Sequence, residues 1–450
     1  MASSSASQIS LLFVVFVGVL LLSSTVVDGF ASGLKLPSSR ARSRGRQWTN
    51  LTLSVSHFGA RGDGCGDDTQ AFVEAWKRAC SSRALAVIEI PADYVCLIRP
   101  IQLGGPCKGK ITLLVSGTII APSDPDAWNG LDPHKWLYFH GVKDFVVTGG
   151  GIINGRGQEW WASSCKKKTS NPCRHAPTAV TFHRIKRLRV HDLTLINSQQ
   201  MHMAFTACSL VKASHLQVIA PGTSPNTDGI HISSCTSITI EESMIKTGDD
   251  CISIVGNSSD ILVRNIICGP GHGISTIDIS IGSLGKSNST AKVQKVQVDG
   301  AFISNTENGV RIKTWQGGQG YARNIMFKNI LMSNVSNPII IDQYYCDSKH
   351  PCENQTSAVR VYDIAFIGIK GTSATEDAIK FACSDIFPCE NINLEDIQLS
   401  LGSGGVPTAY CWQASGSSSG DVVPPSCLSS VDSLIEQNVV VETKLHSMFR

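Results

Sequence analysis

The sequence predicts an all-β protein wound as a right-handed parallel β-helix, a solenoid in which each coil stacks on the previous one. Three observations predict it. Short runs rich in β-branched residues alternate with polar corners past about residue 110, and the 40 glycines accompany few long helical patterns. Between Leu188 and Ile261 the runs recur about every 22 to 27 residues, and the interval lengthens later, as insertions between coils would make it do. The clearest runs are LRVHDLTLIN from Leu188, SITIEESMI from Ser237, ILVRNIICG from Ile261, NIMFKNILM from Asn324, VYDIAFIGI from Val361 and NINLEDIQL from Asn391.

Two other β architectures fit the pattern less well. A propeller would show a four-strand blade period with a blade signature, and the chain has neither. An ordinary β-sandwich also has short strands separated by turns, and it stays open as the alternative.

The ends of a solenoid need covers, because a terminal coil would otherwise expose its apolar interior. Four apolar residues recur at helical spacing between Asp67 and Cys80, which predicts a short N-terminal capping helix. The last stretch, residues 414–450, begins Ser/Gly-rich and is expected to form a tail that covers the other end or is mobile. The β-helix domain is therefore predicted at residues 51–413.

The N-terminal region has the layout of a secretory signal over residues 1–29. An apolar run from Leu11 to Leu22, interrupted by Gly18, precedes small residues. A membrane anchor is the alternative, but the run is shorter than the roughly 20 residues that a bilayer crossing needs. Residues 30–50 are arginine-rich and are expected to form a flexible or processed basic segment. We therefore expect a secreted protein with no membrane contact after signal removal.

The 16 cysteines agree with export, because the cytosol keeps thiols reduced. The pairs that are close in sequence, although spacing does not fix connectivity, are Cys165/Cys173, Cys251/Cys268, Cys346/Cys352, Cys383/Cys389 and Cys411/Cys427. A zinc site is the weaker interpretation, because the chain has no C-x-x-C pair. The glycosylation sequons compatible with the secretory route are at Asn50, Asn257, Asn288, Asn334 and Asn354.

Composition excludes few functions. An apolar content of 42% with 17% charged residues is typical of a folded globular protein. The net charge of +3 permits an acidic partner without requiring one, and it does not indicate a nucleic-acid-binding protein.

A set of polar residues repeats with the period of the coils. Asn226 and Asp228 lie in SPNTDGIHI, Asp249 and Asp250 follow Asp228 by 21 and 22 residues in TGDDCISI, and His272 in GPGHGIS lies 22 beyond Asp250. Residues one coil apart stack at about 4.8 Å, so these side chains are expected to share one face of the solenoid.

Two basic residues continue this set. Arg311 and Lys313 in GVRIKTW come 39 and 41 residues after His272, and alternate residues of a strand share a face. Taken singly, each residue of the set is typical of a turn, a cap or a solvated edge. Their common period favours a functional site instead.

Such a column of carboxyl groups can cleave a glycosidic bond. Two carboxyl groups roughly 6.5 to 9.5 Å apart can work with inversion, one as acid and the other as base for a water molecule. Crowding raises the pKa of at least one carboxyl, which keeps a proton available. Arg311 and Lys313 would complement a negatively charged sugar ring.

The motifs SPNTDG, TGDDC, GPGHGIS and RIKTWQGG occur in this order, together with SHFGARGDG, GGGIINGRGQEWW, PTAVTF, PIIIDQYYC and IKGTSAT. In these motifs, which cover nearly the whole mature chain, the protein resembles plant polygalacturonases, members of a pectin-hydrolysing glycosidase family with a parallel β-helix fold. The resemblance implies cleavage of α-1,4-linked galacturonic acid in pectin or polygalacturonate, with inversion and with endo attack expected. It also implies a cell-wall location, and we expect a monomer with no cofactor and no metal.

The resemblance further implies a role for each residue of the set. Asp249 would be the proton donor, and Asp228 with Asp250 would hold and deprotonate the hydrolytic water. His272 would support or tune their protonation. The residues that would bind the substrate are Asn226, Arg311 and Lys313.

One departure from the family pattern lies beside the site. The family usually reads GHGISIGSLG, whereas here TIDIS, residues 276–280, separates GHGIS from IGSLG. Side chains alternate faces along a strand, so we expect the extra residues to loop out and IGSLG to resume the strand register. Such a loop could displace His272.

Two other functions stay open. A pectate lyase shares the solenoid and the substrate but uses calcium and β-elimination. A pectin-binding wall protein on a retired hydrolase scaffold would need the extra residues to have disabled the site. The intact set of acidic and basic residues favours the hydrolase.

Overall fold

The computed structural model describes residues 50–166, 173–269, 278–348 and 351–430. Within these ranges the strands pair in parallel and helices are few, so the predicted parallel β-helix is confirmed. In chain order the strands are β1 (Leu51–Ser54), β2 (Asp63–Asp67), β3 (Ala86–Ile90), β4 (Val95–Leu97), β5 (Ile101–Gly104), β6 (Ile111–Val115), β7 (Thr118–Ile120), β8 (Lys135–His140), β9 (Lys143–Thr148), β10 (Ile152–Asn154), β11 (Thr178–His183), β12 (Lys186–Ile196), β13 (Met203–Thr206), β14 (Ser209–Ile219), β15 (Ile230–Ser233), β16 (Thr236–Lys246), β17 (Ile252–Ile254), β18 (Ser258–Cys268), β19 (Ile279–Leu284), β20 (Thr290–Ser304), β21 (Asn308–Thr314), β22 (Gln319–Val335), β23 (Asn337–Asp342), β24 (Arg360–Ser373), β25 (Asp377–Ala382), β26 (Cys389–Leu401), β27 (Thr408–Trp412) and β28 (Ala414–Val423).

The helices are short. They are α1 (Thr69–Ser81), α2 (Gln158–Ala162) and three 3-10 turns at Val55–Phe58, Pro125–Trp128 and Lys286–Asn288. No helix in the described part of the chain is long and apolar enough to cross a membrane.

The strands form two sheets. The front sheet has eleven strands, in the order β5, β8, β11, β13, β15, β17, β19, β21, β23, β25 and β27, and the remaining strands form the back sheet. From β12 onward, each coil therefore gives one short strand to the front sheet and one long strand to the back sheet. Neighbouring coils contact each other in both sheets, as in a solenoid.

The interior consists of columns of apolar side chains. In the front sheet the register aligns Ile230 with Ile252 and then Ile279, and all three are fully buried. Phe182 stacks between Phe139 and Phe205 with ring centroids 5.6 Å apart on each side. Because side chains alternate faces along a strand, the residue between two buried aliphatic residues points outward.

The long back strands turn a corner near their middle. The residues with left-handed backbone at this corner, with φ between 50° and 74°, are Asp192, His215, Glu242, Asn265, Gly300, Asn329, Gly368, Asp396 and Gly420. Most of them are Asn, Asp or Gly, which adopt this conformation at low cost. Each long strand therefore bends at this residue and stays paired with its neighbours on both sides of the bend, so that the back sheet forms two of the three faces of the solenoid.

The N-terminal capping helix predicted between Asp67 and Cys80 is confirmed as α1. It buries Phe72 and Trp76 against the first coils, and the Trp76 indole N–H donates to the Gly104 carbonyl at 3.2 Å. A disulfide from Cys80 to Cys107 fixes its last turn.

The C-terminal end differs from the prediction. The strand pairing runs past the predicted domain boundary at residue 413, because β28 pairs with β26 in the back sheet as far as Val423. The sequence predicted a tail here because a Ser/Gly-rich strand has few apolar side chains that would indicate burial. Residues 431–450 of the predicted tail lie outside the described residues.

All five predicted disulfides are present, and Cys80–Cys107, which spans 27 residues, is a sixth that close spacing did not indicate. The five sequon asparagines are all exposed, as glycan attachment would require.

Candidate active site

The site lies on the outer face of the front sheet, near its middle. The register places His231, Ser253, Ser280 and Arg311 side by side on β15, β17, β19 and β21. Each is the middle residue of a triplet whose outer residues are aliphatic and buried, so these four side chains share the outward face.

The aspartates sit in the turns that lead into these strands. Backbone bonds stack the turns: the His202 N–H donates to the Asp228 carbonyl at 2.8 Å, and the Gly229 N–H donates to the Asp250 carbonyl at 2.9 Å. Gly248 allows this packing, because a Cβ there would lie 2.0 Å from the Ser224 carbonyl oxygen. The turn sequence thus fixes the carboxyl groups relative to the sheet.

The three predicted aspartates come together and are nearly buried, with 7%, 9% and 3% of Asp228, Asp249 and Asp250 exposed. The Ser253 hydroxyl donates to Asp228 Oδ2 at 2.9 Å. Asp249 Oδ1 accepts from the Asp250 N–H at 2.9 Å. The structure therefore brings together the carboxyl groups that the period of the sequence had placed in one column.

Asp250 is the carboxyl with the strongest charge compensation. Its Oδ2 accepts from the Ser280 hydroxyl at 2.5 Å and from Lys313 Nζ at 2.9 Å. Burial alone would raise the pKa of Asp250, but the Lys313 ammonium, a hydrogen bond from Asp278 and the Arg311 charge together lower the pKa below its ordinary value. Asp250 is therefore held ionised.

The other two carboxyl groups are shifted in the opposite direction. Burial, followed by the negative charge of Asp250, raises the pKa of Asp249 above its ordinary value. Burial and the charges of Asp249 and Asp250 raise the pKa of Asp228 well above its ordinary value. One carboxylate is held charged while its neighbours retain protons more readily, which is the division that acid and base catalysis needs.

Both predicted cations already contact protein carboxyl groups. Lys313 is 7% exposed and bonds Asp250, whose charge outweighs the effect of burial and raises the pKa of the lysine. Arg311 Nε lies 2.7 Å from Asp278 Oδ2, and Arg311 Nη2 lies 3.8 Å from Asp250 Oδ1. The 2.7 Å contact is an ion-pair approach without the alignment of a hydrogen bond. The Tyr345 ring centroid lies 5.6 Å from Lys313 Nζ and completes this side of the site.

The comparisons with known proteins agree with this geometry. The profile of Glycosyl hydrolases family 28 matches residues 80–420. The chain belongs to this family. It is thus a glycoside hydrolase, and the predicted membership among the plant polygalacturonases is confirmed by its relatives.

Two curated relatives are similar over most of their length. A probable polygalacturonase of Arabidopsis thaliana is 56% identical over 438 residues, which cover 97% of each chain. A polygalacturonase of Persea americana is 51% identical over 356 residues, or 79% of this chain and 75% of the relative. Among solved structures, an endo-xylogalacturonan hydrolase from Aspergillus tubingensis superposes with a TM-score of 0.67 at 23% identity, covering 83% of this chain and all of that one. The last similarity concerns the fold.

The departure from the family pattern takes a different form from the one predicted. The prediction that residues 276–280 loop out is wrong for Ile279 and Ser280, which belong to β19 and pair with Ile252 and Ser253. The prediction that IGSLG resumes the register is confirmed for Ile281, which pairs with Ile254, whereas the register against β21 shifts between Ile281 and Leu284. Because Ile-Ser occurs twice, at 274–275 and 279–280, the five extra residues are equally well counted as 274–278.

Of the two remaining predicted residues, the structure describes Asn226 alone. His272 lies outside the described residues. Asn226 is half-buried in the turn before β15, with a left-handed backbone (φ 55°), and it lines a small cavity with Lys166 and Gln199. Asn226 is therefore close to the site on the side of the loop that carries Lys166.

Several site residues were missed by sequence reasoning. His231 bonds the Ser253 hydroxyl through Nδ1 at 2.8 Å, and its pKa is lowered to about 4, chiefly by burial. The aliphatic-x-aliphatic triplets could have identified His231, Ser253 and Ser280 as outward residues. Lys166 Nζ, 3.5 Å from Asp249 Oδ2, comes from a loop 83 residues earlier and has no periodic signal.

A long groove of about 920 Å³ runs along the back sheet, between Leu210 and Asn393 in sequence. Its lining comes from the outer faces of β14 to β26, away from the aspartate turns, and its acidic residues, Asp260 and Asp363, do not converge on one point. The candidate chemistry of this chain therefore lies on the front-sheet side, with the aspartate turns and the small cavity that Lys166 and Asn226 line.

Proposed function

We propose that the protein hydrolyses α-1,4-linked galacturonic acid in polygalacturonate, outside the cell, by an inverting acid/base mechanism with endo attack. The observation that carries this proposal is the buried aspartate cluster in which Asp250 is held ionised by Lys313 while Asp249 has a raised pKa. Membership in family 28 and the polygalacturonase names of the curated relatives support the substrate class.

Asp249 is the proton donor in this mechanism. Its raised pKa leaves a proton on the carboxyl at mildly acidic pH, and that proton passes to the glycosidic oxygen as the bond from this oxygen to C1 breaks. Asp249 is 9% exposed, so its side chain remains accessible at the outer face of the front sheet.

Asp250, with Asp228, activates the hydrolytic water. The ionised Asp250 accepts a proton from the water. At the same time the water oxygen bonds C1 on the face opposite the leaving group, which inverts the configuration. Asp228, hydrogen-bonded by Ser253, helps to hold the water. The proton taken up by the base returns to Asp249 through solvent, and atoms and charge balance over the cycle.

Arg311, Lys313 and Asn226 bind the sugar beside the reacting bond. The guanidinium and ammonium groups complement a galacturonate carboxylate, whereas His272 supports the carboxyl cluster. Endo attack is supported by the position of β17 and β19 near the middle of the front sheet. The sheet continues for several strands on both sides, so a polymer can extend past the site in both directions. Extracellular action is supported by the six disulfides, the exposed sequons and the signal-like N-terminal sequence.

Hydrolysis of polygalacturonic acid, followed by product sizing and by NMR of the new anomeric centre, tests this proposal. We expect a ladder of short oligomers without unsaturated ends, a product of inverted configuration and activity that resists chelators. Asp249→Asn is the matched control for a contaminating activity. Monomer as the sole product would contradict endo attack, retained configuration would contradict inversion, and chelator-sensitive unsaturated products would show a lyase.

A further inference from the structure

Asp278 is a carboxyl group beside the active site that the mechanism above does not use. It lies at the entrance of β19 and is completely buried. Its backbone carbonyl accepts from the Cys251 N–H at 2.8 Å and from the Ile252 N–H at 3.4 Å, so its position is tied to the strand that follows the catalytic turn. Burying a carboxyl is costly unless a partner compensates it.

Asp278 has two charged neighbours, Asp250 and the substrate-binding cation Arg311. Burial raises the pKa of Asp278 well above its ordinary value, the charge of Arg311 opposes this rise, and the charge of Asp250 adds to it. Asp278 Oδ2 lies 2.7 Å from Arg311 Nε, whereas the nearest contact of Arg311 with Asp250 is 3.8 Å. The Arg311 side chain is 14% exposed, so little of the guanidinium is free to solvent. The Nε edge of the Arg311 guanidinium group is therefore already occupied by a protein oxygen.

We propose that Asp278 is a specificity-determining residue that competes with the carboxylate of the sugar for Arg311. Arginine recognises a carboxylate best through two parallel N–H donors, and an oxygen fixed at Nε removes one such edge from the substrate.

Asp278 lies among the extra residues that interrupt the family pattern. In the family reading GHGISIGSLG, the residue before ISIG is glycine, which has no side chain to reach Arg311. Here the same position before Ile279-Ser280 is Asp278, within the extra residues 274–278. The extra residues therefore bring a new carboxyl into the site in addition to lengthening the connection.

This inference rests on the proposed function and predicts tighter binding when Asp278 is removed. Asp278→Ala in an Asp249→Asn background should bind a galacturonate oligomer about tenfold or more tightly by calorimetry, because Arg311 regains a charge-assisted contact. Binding of the methyl-esterified oligomer should change less than twofold, because that ligand has no carboxylate. In the active background the same substitution should lower KM, and it should move the acid limb of kcat to higher pH, because the hydrogen bond from Asp278 that lowers the pKa of Asp250 is lost. Asp278→Asn, which keeps an oxygen beside Arg311 but cannot ionise, should lie between the parent and the Ala variant.

The matched control is Asp299→Asn, since Asp299 pairs with Lys328 at 3.1 Å in the back sheet, away from the site. It should leave both affinities unchanged. Equal affinity of parent and Asp278→Ala for the free acid, an equal gain for the ester, or loss of the fold in both Asp278 variants would overturn the proposal. Failure of the Asp249→Asn protein to bind polygalacturonate at all, together with failure of the parent to hydrolyse it, would instead refute the proposed function.

Discussion

Lys313 gives the sharpest test of how charge is distributed in the active site. Its Nζ lies 2.9 Å from Asp250 Oδ2, and both side chains are nearly buried, with 9% and 4% exposed. Lys313→Met keeps most of the volume and removes the charge. An opposite charge at this range lowers a carboxyl pKa by about 1 to 3 units. The pKa of Asp250 should therefore rise by this amount in the variant, so that the base is protonated at higher pH.

The assay is the pH dependence of kcat on polygalacturonic acid. The acid limb reports protonation of the base in the complex, and we expect it to move up by about 1 to 3 pH units in Lys313→Met. KM for the free-acid polymer should also rise, because the sugar loses a cation. An acid limb that stays in place would refute the assignment of Asp250 as the ionised base.

The same substitution should cost stability, by about 3 to 5 kcal/mol, because it leaves a buried carboxyl without its partner. Asp250 has a lowered pKa in the folded protein, so its pairing stabilises the fold above the ordinary pKa of aspartate, and this contribution is lost as the pH falls. The difference in Tm between parent and variant should thus be largest at neutral pH and should narrow in acid. Lys328→Met, which removes the ion-pair partner of Asp299 on the back sheet, controls for loss of a partly exposed pair.

Three further predictions follow from the site. Asp249→Asn should lower turnover by about 10² to 10⁴ with an unchanged or higher Tm, and near-native release of reducing ends would contradict the acid assignment. Lys166→Met should move the alkaline limb of kcat to higher pH, because the Lys166 charge lowers the pKa of Asp249; an unmoved limb would show that this contact is absent in solution. Deletion of residues 274–278, which yields the same chain as deletion of 276–280, should preserve folding and maintain or raise activity, and a misfolded product would show that the extra residues are integral to the coil.

The part of the site that repeats with the coils was predictable from sequence. Asp228 and Asp250 are 22 residues apart, and the structure stacks their turns directly. Arg311 was placed on the correct face because it alternates with buried aliphatic residues on β21. Period carries this information because every coil of a solenoid must return to the same position.

The part that depends on non-periodic contacts was not predictable. Lys166 reaches Asp249 from a loop whose position is set by packing on distant coils. Asp278 was not identified as a site residue because Ile-Ser occurs twice, so the extra residues can be counted as 276–280 or as 274–278. The pairing of β19 with β17 shows that Ile279 and Ser280 belong to the strand. The strand β28 was missed because its exposed serines and glycines lack the alternation that identifies a half-buried strand.

The eleven front strands also set a length scale. At about 4.8 Å between neighbours, ten intervals give an outer face about 48 Å long. Each coil contacts only the coils beside it, so adding or losing a coil near either end would lengthen or shorten this face in steps of about 4.8 Å without moving the aspartate turns. In this architecture, the length of polymer that the enzyme can contact and the chemistry at the centre of the face can therefore evolve separately.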